Sequence, residues 1–139
     1  MIGKRLIKRQ IISQIDKQNL NGDTIPRAVM QSAIDKLEHG EVFGQLGMKH
    51  NEGVCDLSKV SHIVKNFTID DDDLVRADIQ VIETPMGKHL SKFLETDFVK
   101  HVAFRISADN VVATDTEVSS MRLTGVHCIP KAEDALELE

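Results

Sequence analysis

The sequence predicts an α+β domain, a largely antiparallel sheet or barrel of about six strands with two or three helices. Three observations predict it. Segments of strand-like alternation outnumber those of helical spacing, and the two kinds are mixed along the chain. Across 139 residues no repeat, low-complexity tract or Pro/Gly/Ser linker intervenes, so a single domain is expected over 1–130, with an acidic tail over 131–139. The hydrophobic share is 41% with no Trp or Tyr, which makes the core aliphatic, and a chain of this length buries roughly two-thirds of its unfolded surface without a staple.

Taken in order, Leu6, Ile7, Ile11, Ile12 and Ile15 fall at a spacing that suits a helix slightly better than a strand. "NLNGDTIP" is rich in turn formers, and Pro26 then suits the first turn of a helix. Val29, Met30, Ala33, Ile34 and Leu37 recur on its inner face, with Gly40 as the stop signal. "EVFGQLGM" reads as a short strand running into a loop. "KVSHIVKNFTI" and "LVRADIQVIE" read as a strand pair joined by Asp70 to Asp73, with Val75, Ala77, Ile79 and Val81 on the buried face. Thr84 as N-cap and Pro85 at the first position open a second helix that points Met86, Leu90, Phe93 and Leu94 inward. "VKHVAFRIS", "NVVAT" and "EVSSMRLTGVHCI" complete the strands, with Ser107 beginning a turn "SADN".

Charge and cysteine usage exclude several function classes. The net charge of −5 argues against nucleic acid as a partner, since affinity there rests on clustered Lys and Arg. Cys55 and Cys128 form no CxxC pair, and no run is apolar and long enough to span a bilayer. A cytoplasmic product with reduced thiols is expected. The ends differ: Lys4, Arg5, Lys8 and Arg9 make a basic head, and Glu133, Asp134, Glu137 and Glu139 an acidic tail. Solvated, frayed termini explain both, and complementary surfaces on another protein are the sharper alternative.

Chemical motifs are sparse. Asp70 and Asp72 have the first spacing of a calcium loop, but Val75 and Val81 stand where glycine and a bidentate glutamate are required. The six histidines, at 39, 50, 62, 89, 101 and 127, show no HxH or HExxH spacing. Ser61 and His62 are adjacent in an expected strand, which sends their side chains to opposite faces and forbids a nucleophile–base pair. No metal or cofactor is therefore expected.

The order of four stretches carries more. "NLNGDTIPRAVMQSAIDKL", "GQLG", the long run from Asp56 to Leu90 with its "TPMGKHL", and "HVAFRI" follow one another in this register over most of residues 19 to 126. In this the chain resembles the prohead (head-maturation) serine proteases of tailed bacteriophages, whose fold is related to herpesvirus assemblin. The resemblance implies the assemblin-like fold, but the family's chemistry is missing. Its nucleophile, the first serine of Ser-Ser-Arg-Gly, aligns with Ala103, followed by Phe104 and a shared Arg105. Its general base, the histidine after Gly-Glu-Leu-x, aligns with Met48. A methyl group cannot attack a carbonyl, and a thioether cannot take up a proton at neutral pH.

The resemblance thus implies a pseudoprotease: a capsid-associated decoration, cement or head-assembly protein that binds the major capsid protein. Such a protein is expected in the virion after assembly in the host cytoplasm, as a homo-oligomer, dimer or trimer. One alternative is an active maturation protease with a displaced Ser107 and His50, assisted by Arg105; a four-residue shift along a strand is roughly 13 Å, which demands a rebuilt site. The other is a small binding or regulatory domain unrelated to phage heads.

Overall fold

The computed structural model describes residues 2–20, 22–47, 57–134 and 136. Met48, His50 and Cys55, like Glu137 and Glu139 of the tail, lie outside the described residues. Among the described residues, six strands and two helices follow one another as β1 (Ile2–Gln14), α1 (Arg27–Asp35), β2 (Val42–Gln45), β3 (Val60–Ile69), β4 (Leu74–Ile82), α2 (Pro85–Leu94), β5 (Val102–Thr114) and β6 (Glu117–Pro130). All strand pairs are antiparallel: one sheet runs β1-β4-β3-β2, and β5 and β6 form a second. β2 abuts β6 and β1 abuts β5, so the sheets close on each other in the manner of a barrel. The expected α+β architecture is the one observed. No helix among the described residues is long and apolar enough to cross a membrane.

The core is aliphatic, as the composition implies. Ile12, Ile15, Met30, Val64, Val75, Ile79, Leu90 and Val126 are wholly buried. The β3–β4 hairpin forms as expected, and Val75, Ala77, Ile79 and Val81 are its inner row. The acidic turn 70–73 is not merely solvated. Asp70 bonds Arg9 at 2.7 Å and Arg76 at 2.6 Å, Asp72 bonds Arg76 at 3.0 Å, and Asp73 meets Arg27 at 3.3 Å. α2 also starts where expected: Thr84 Oγ1 accepts the Gly87 N–H at 2.9 Å and donates its own proton to the Val60 carbonyl at 2.5 Å. That double bond pins the helix to the start of β3.

Five local expectations are corrected. Residues 6–14 are strand, not helix, and Ile15 follows in a bend: three register shifts in β1, one beside Arg9 at φ 52°, reset the alternation and give the isoleucines a helix-like spacing. "SADN" is no turn, because β5 runs through it; Asn110, at φ 50°, sits in a register shift, and the chain reverses at Asp115 and Thr116. Turn-forming residues here mark a bulge within a strand. The first helix ends at Asp35, well before Gly40, which closes a separate short 3-10 turn at φ 68°. Phe93 is 38% exposed rather than inward. The basic head is no frayed end either, since Arg5 pairs with Glu95 at 3.2 Å and Arg9 with Asp70.

Candidate functional site

The polar chemistry of the interior gathers where β2 meets β6. The two strands approach so closely that side chains are excluded at two positions: a Cβ on Gly44 would lie 1.9 Å from the Val126 carbonyl oxygen, and one on Gly125 would lie 2.6 Å from the His127 ring. Leu46 bridges Cys128, and the Gly47 N–H donates to the Cys128 carbonyl at 2.7 Å. Around this seam lie Gln45, Ser61, His62, Ser107, Thr124 and His127, every one of them buried.

His62 and Ser61 correct the argument from alternation. In the β2–β3 ladder Gly44 faces His62 and Gln45 faces Val60, so Ser61 is the extra residue of a bulge. A bulge re-aims the side chain, and Ser61 Oγ lies 2.7 Å from His62 Nδ1. His62 Nε2 lies 2.6 Å from the Val126 carbonyl, which can only accept, so Nε2 carries the ring proton and Nδ1 accepts from Ser61. This is the proton direction of a nucleophile–base pair. Both residues are 0% exposed, however, and Phe104 closes the ring's edge at 5.3 Å between centroids. Nothing in solvent reaches them.

His127 has the opposite polarity. Its Nδ1 accepts the Gln45 main-chain N–H at 2.9 Å, so Nε2 must carry the proton, and it donates to Ser107 Oγ at 2.9 Å. Ser107 Oγ also shares a hydrogen bond with Thr124 Oγ1 at 2.8 Å. The serine therefore receives a proton from the imidazole and cannot give it one. Burial lowers both histidines to about 4. For His62 the Val126 hydrogen bond works against burial and the neighbouring His127 with it. Burial also raises the Cys128 thiol to about 12, which leaves it protonated and unreactive.

The remaining positions singled out in the sequence lie on β5. Ala103 is 8% exposed and pairs with Ile129, one residue from the Cys128 that binds Gly47. The seam thus leads the 44–47 run and the Ala103 end of β5 to the same end of β6. The Arg105 side chain is 14% exposed and makes a two-point contact with Asp134, Nε to Oδ1 at 2.7 Å and the second nitrogen to Oδ2 at 2.8 Å. Its other nitrogen donates to the Ile11 and Phe104 carbonyls, both at 2.7 Å. Arg105 ties the start of the tail to β5 and β1. His62 and His127 are the centre of the polar cluster; alternation along a regular strand sets His62 aside as a partner for Ser61, and a lone histidine within an apolar strand, as each of them is, ordinarily marks nothing more than core.

This closed six-strand arrangement, with two helices and a glycine seam, has a solved counterpart. The capsid assembly protease of bacteriophage T4 superposes with a TM-score of 0.74 over 89% of this chain and 80% of that one, at 18% sequence identity. The fold is that of a phage prohead protease. At this identity the likeness shows the fold alone. No family model and no curated protein matches the chain.

Proposed function

We propose that this chain is a non-catalytic phage head protein, a protease fold that has lost its chemistry and serves as a decoration, cement or assembly component on the major capsid protein. The observation that carries the reading is Ala103. The position where the resemblance expects a nucleophile holds a buried methyl group in the middle of a fold that matches a capsid assembly protease. A fold outlasts its site because function resides in particular side chains. Binding to a repeated capsid surface gains avidity from oligomerisation, so a dimer or trimer belongs to the reading.

The geometry around Ser107 argues against the displaced-site alternative. The hydroxyl is 2% exposed, accepts from His127 and shares its other hydrogen bond with the Thr124 hydroxyl; neither neighbour is a base for its proton. His50 lies outside the described residues.

Two measurements test the proposal. Purified protein is expected to bind assembled capsids or major capsid protein at micromolar affinity or better, and binding to neither refutes it. Incubation with scaffold or capsid protein is expected to leave both intact, with no mass added by a serine-reactive phosphonate. Cleavage that disappears in Ser107→Ala would establish the protease instead.

A further inference from the structure

We infer that the β2–β6 seam is an acid-operated latch, in which a proton on His127 Nδ1 breaks its bond to the Gln45 main chain and releases β2 from β6. The inference goes beyond the proposed function and does not depend on it.

Hydrogen-bond roles at the seam decide which ring is the sensor. If His62 is protonated at Nδ1, it can donate to Ser61 Oγ while the serine turns its own proton toward the Gly44 carbonyl, 3.5 Å away. The ring keeps a partner. If His127 is protonated at Nδ1, its new N–H points at the Gln45 N–H, a main-chain donor with no proton to give up and no lone pair to offer. Two donors face each other at 2.9 Å, and the contact must open. The same movement weakens the other ties of the seam, the Leu46–Cys128 bridge and the Gly47 N–H to Cys128 bond.

The surroundings offer the proton no other home. β2 brings Gly44 and Gln45 to the cluster, β3 brings Ser61 and His62, β5 brings Phe104 and Ser107, and β6 brings Thr124. Arg105, the register partner of His127, is turned to Asp134 and Ile11. α1, packed on β6, buries Met30 and Ala33, and α2, packed on β3, buries Gly87 and Leu90. No carboxylate among the described residues pairs with either ring. A second positive ring would moreover repel the first, since His127 already lowers His62.

The sign follows from linkage. Burial holds His127 at about 4, against an ordinary 6.5, so the opened form binds the proton that the closed form refuses. Closure is secure above the ordinary value and weakens as pH falls toward the buried one. For one imidazole freed, the opened fraction rises about thirtyfold between pH 7.5 and pH 5.

Hydrogen exchange of the full chain, corrected for intrinsic rates, reads this directly. The Gln45 and Gly47 amides are expected to lose about thirtyfold protection between pH 7.5 and pH 5, while Val64 and Ile79 amides of the β3–β4 hairpin hold theirs. In His127→Gln, whose side-chain amide can accept from Gln45 and donate to Ser107 without titrating, the response should vanish. Equal loss on every strand, no loss at the seam, or an undiminished response in His127→Gln overturns the inference. Should that variant fail to fold, NMR titration of the wild-type ring decides, and a midpoint near the ordinary value overturns it.

Discussion

Arg105 is where the resemblance and the structure give the same residue different work, and its removal separates them. In Arg105→Met the aliphatic stem is kept, but four hydrogen bonds go: two to Asp134, one to the Ile11 carbonyl and one to the Phe104 carbonyl. Asp134, with a side chain 13% exposed, is left as a nearly buried charge without its partner. Breaking such a pair from one side costs roughly 3–5 kcal/mol, because the orphaned charge keeps its desolvation penalty. Some solvent reaches both groups, so about 3 kcal/mol is the working figure. Asp134→Asn keeps the shape and one acceptor and should cost about 1–2 kcal/mol. The double variant should be milder than the sum, since no charge is then left behind. The chain has no Trp or Tyr, so far-UV circular dichroism in urea is the suitable probe. With a slope of about 1.5 kcal/mol per molar, Arg105→Met moves the midpoint down by about 2 M. A shift under about 0.5 M, or strict additivity with Asp134→Asn, would refute the clamp and return Arg105 to an idle relic of a catalytic site.

Two further outcomes follow from the same geometry. Gly44→Ala places a Cβ 1.9 Å from the Val126 carbonyl and 2.0 Å from His62 Nε2. Main-chain oxygen cannot yield, and the seam must part, so a loss of about 3 kcal/mol and a melting temperature lower by roughly 10 °C are expected in a thermal scan. At the β3–β4 turn, hydrogen bonds from Arg76 hold the Asp70 and Asp72 carboxyls below their ordinary 3.8. Their contribution to stability is therefore present above that value and disappears as pH falls through the lowered one. Carboxyl titration by NMR should show both midpoints depressed, and both should return toward the ordinary value in Arg76→Gln.

How far the fold was legible depended on whether a strand kept its period. The β3–β4 hairpin could be read because an acidic four-residue turn marks the reversal and Val75 to Val81 alternate without interruption after it. α2 could be read because Thr84 and Pro85 announce its start chemically. β1 could not, since three register shifts make its isoleucines look helical, and β5 was cut in two by Asn110 inside a shift. Bulges are set by partner strands distant in sequence, and a local pattern does not contain them. The same blind spot hid the polar cluster. Only the unpaired position of Ser61 in the β2–β3 ladder brings it to His62, and only the seam brings Gln45 to His127 across more than eighty residues.

Two serine–histidine contacts within 3 Å among the described residues would pass a search by distance for a nucleophile and its base. Neither is one, for different reasons. The Ser107 contact has the wrong proton direction, fixed by the main-chain donor of Gln45 on the far side of the ring. The Ser61 contact has the right direction, fixed by the Val126 carbonyl, but no access. In both cases a backbone group on a neighbouring strand decides what the imidazole can do. The imidazoles here bind strands together, and a buried ring that does so resists acid only while it stays buried. A protease needs its base next to substrate; the described Ser–His pairs of this chain lie instead in the wall of the barrel, which is what the proposed non-catalytic reading expects of them.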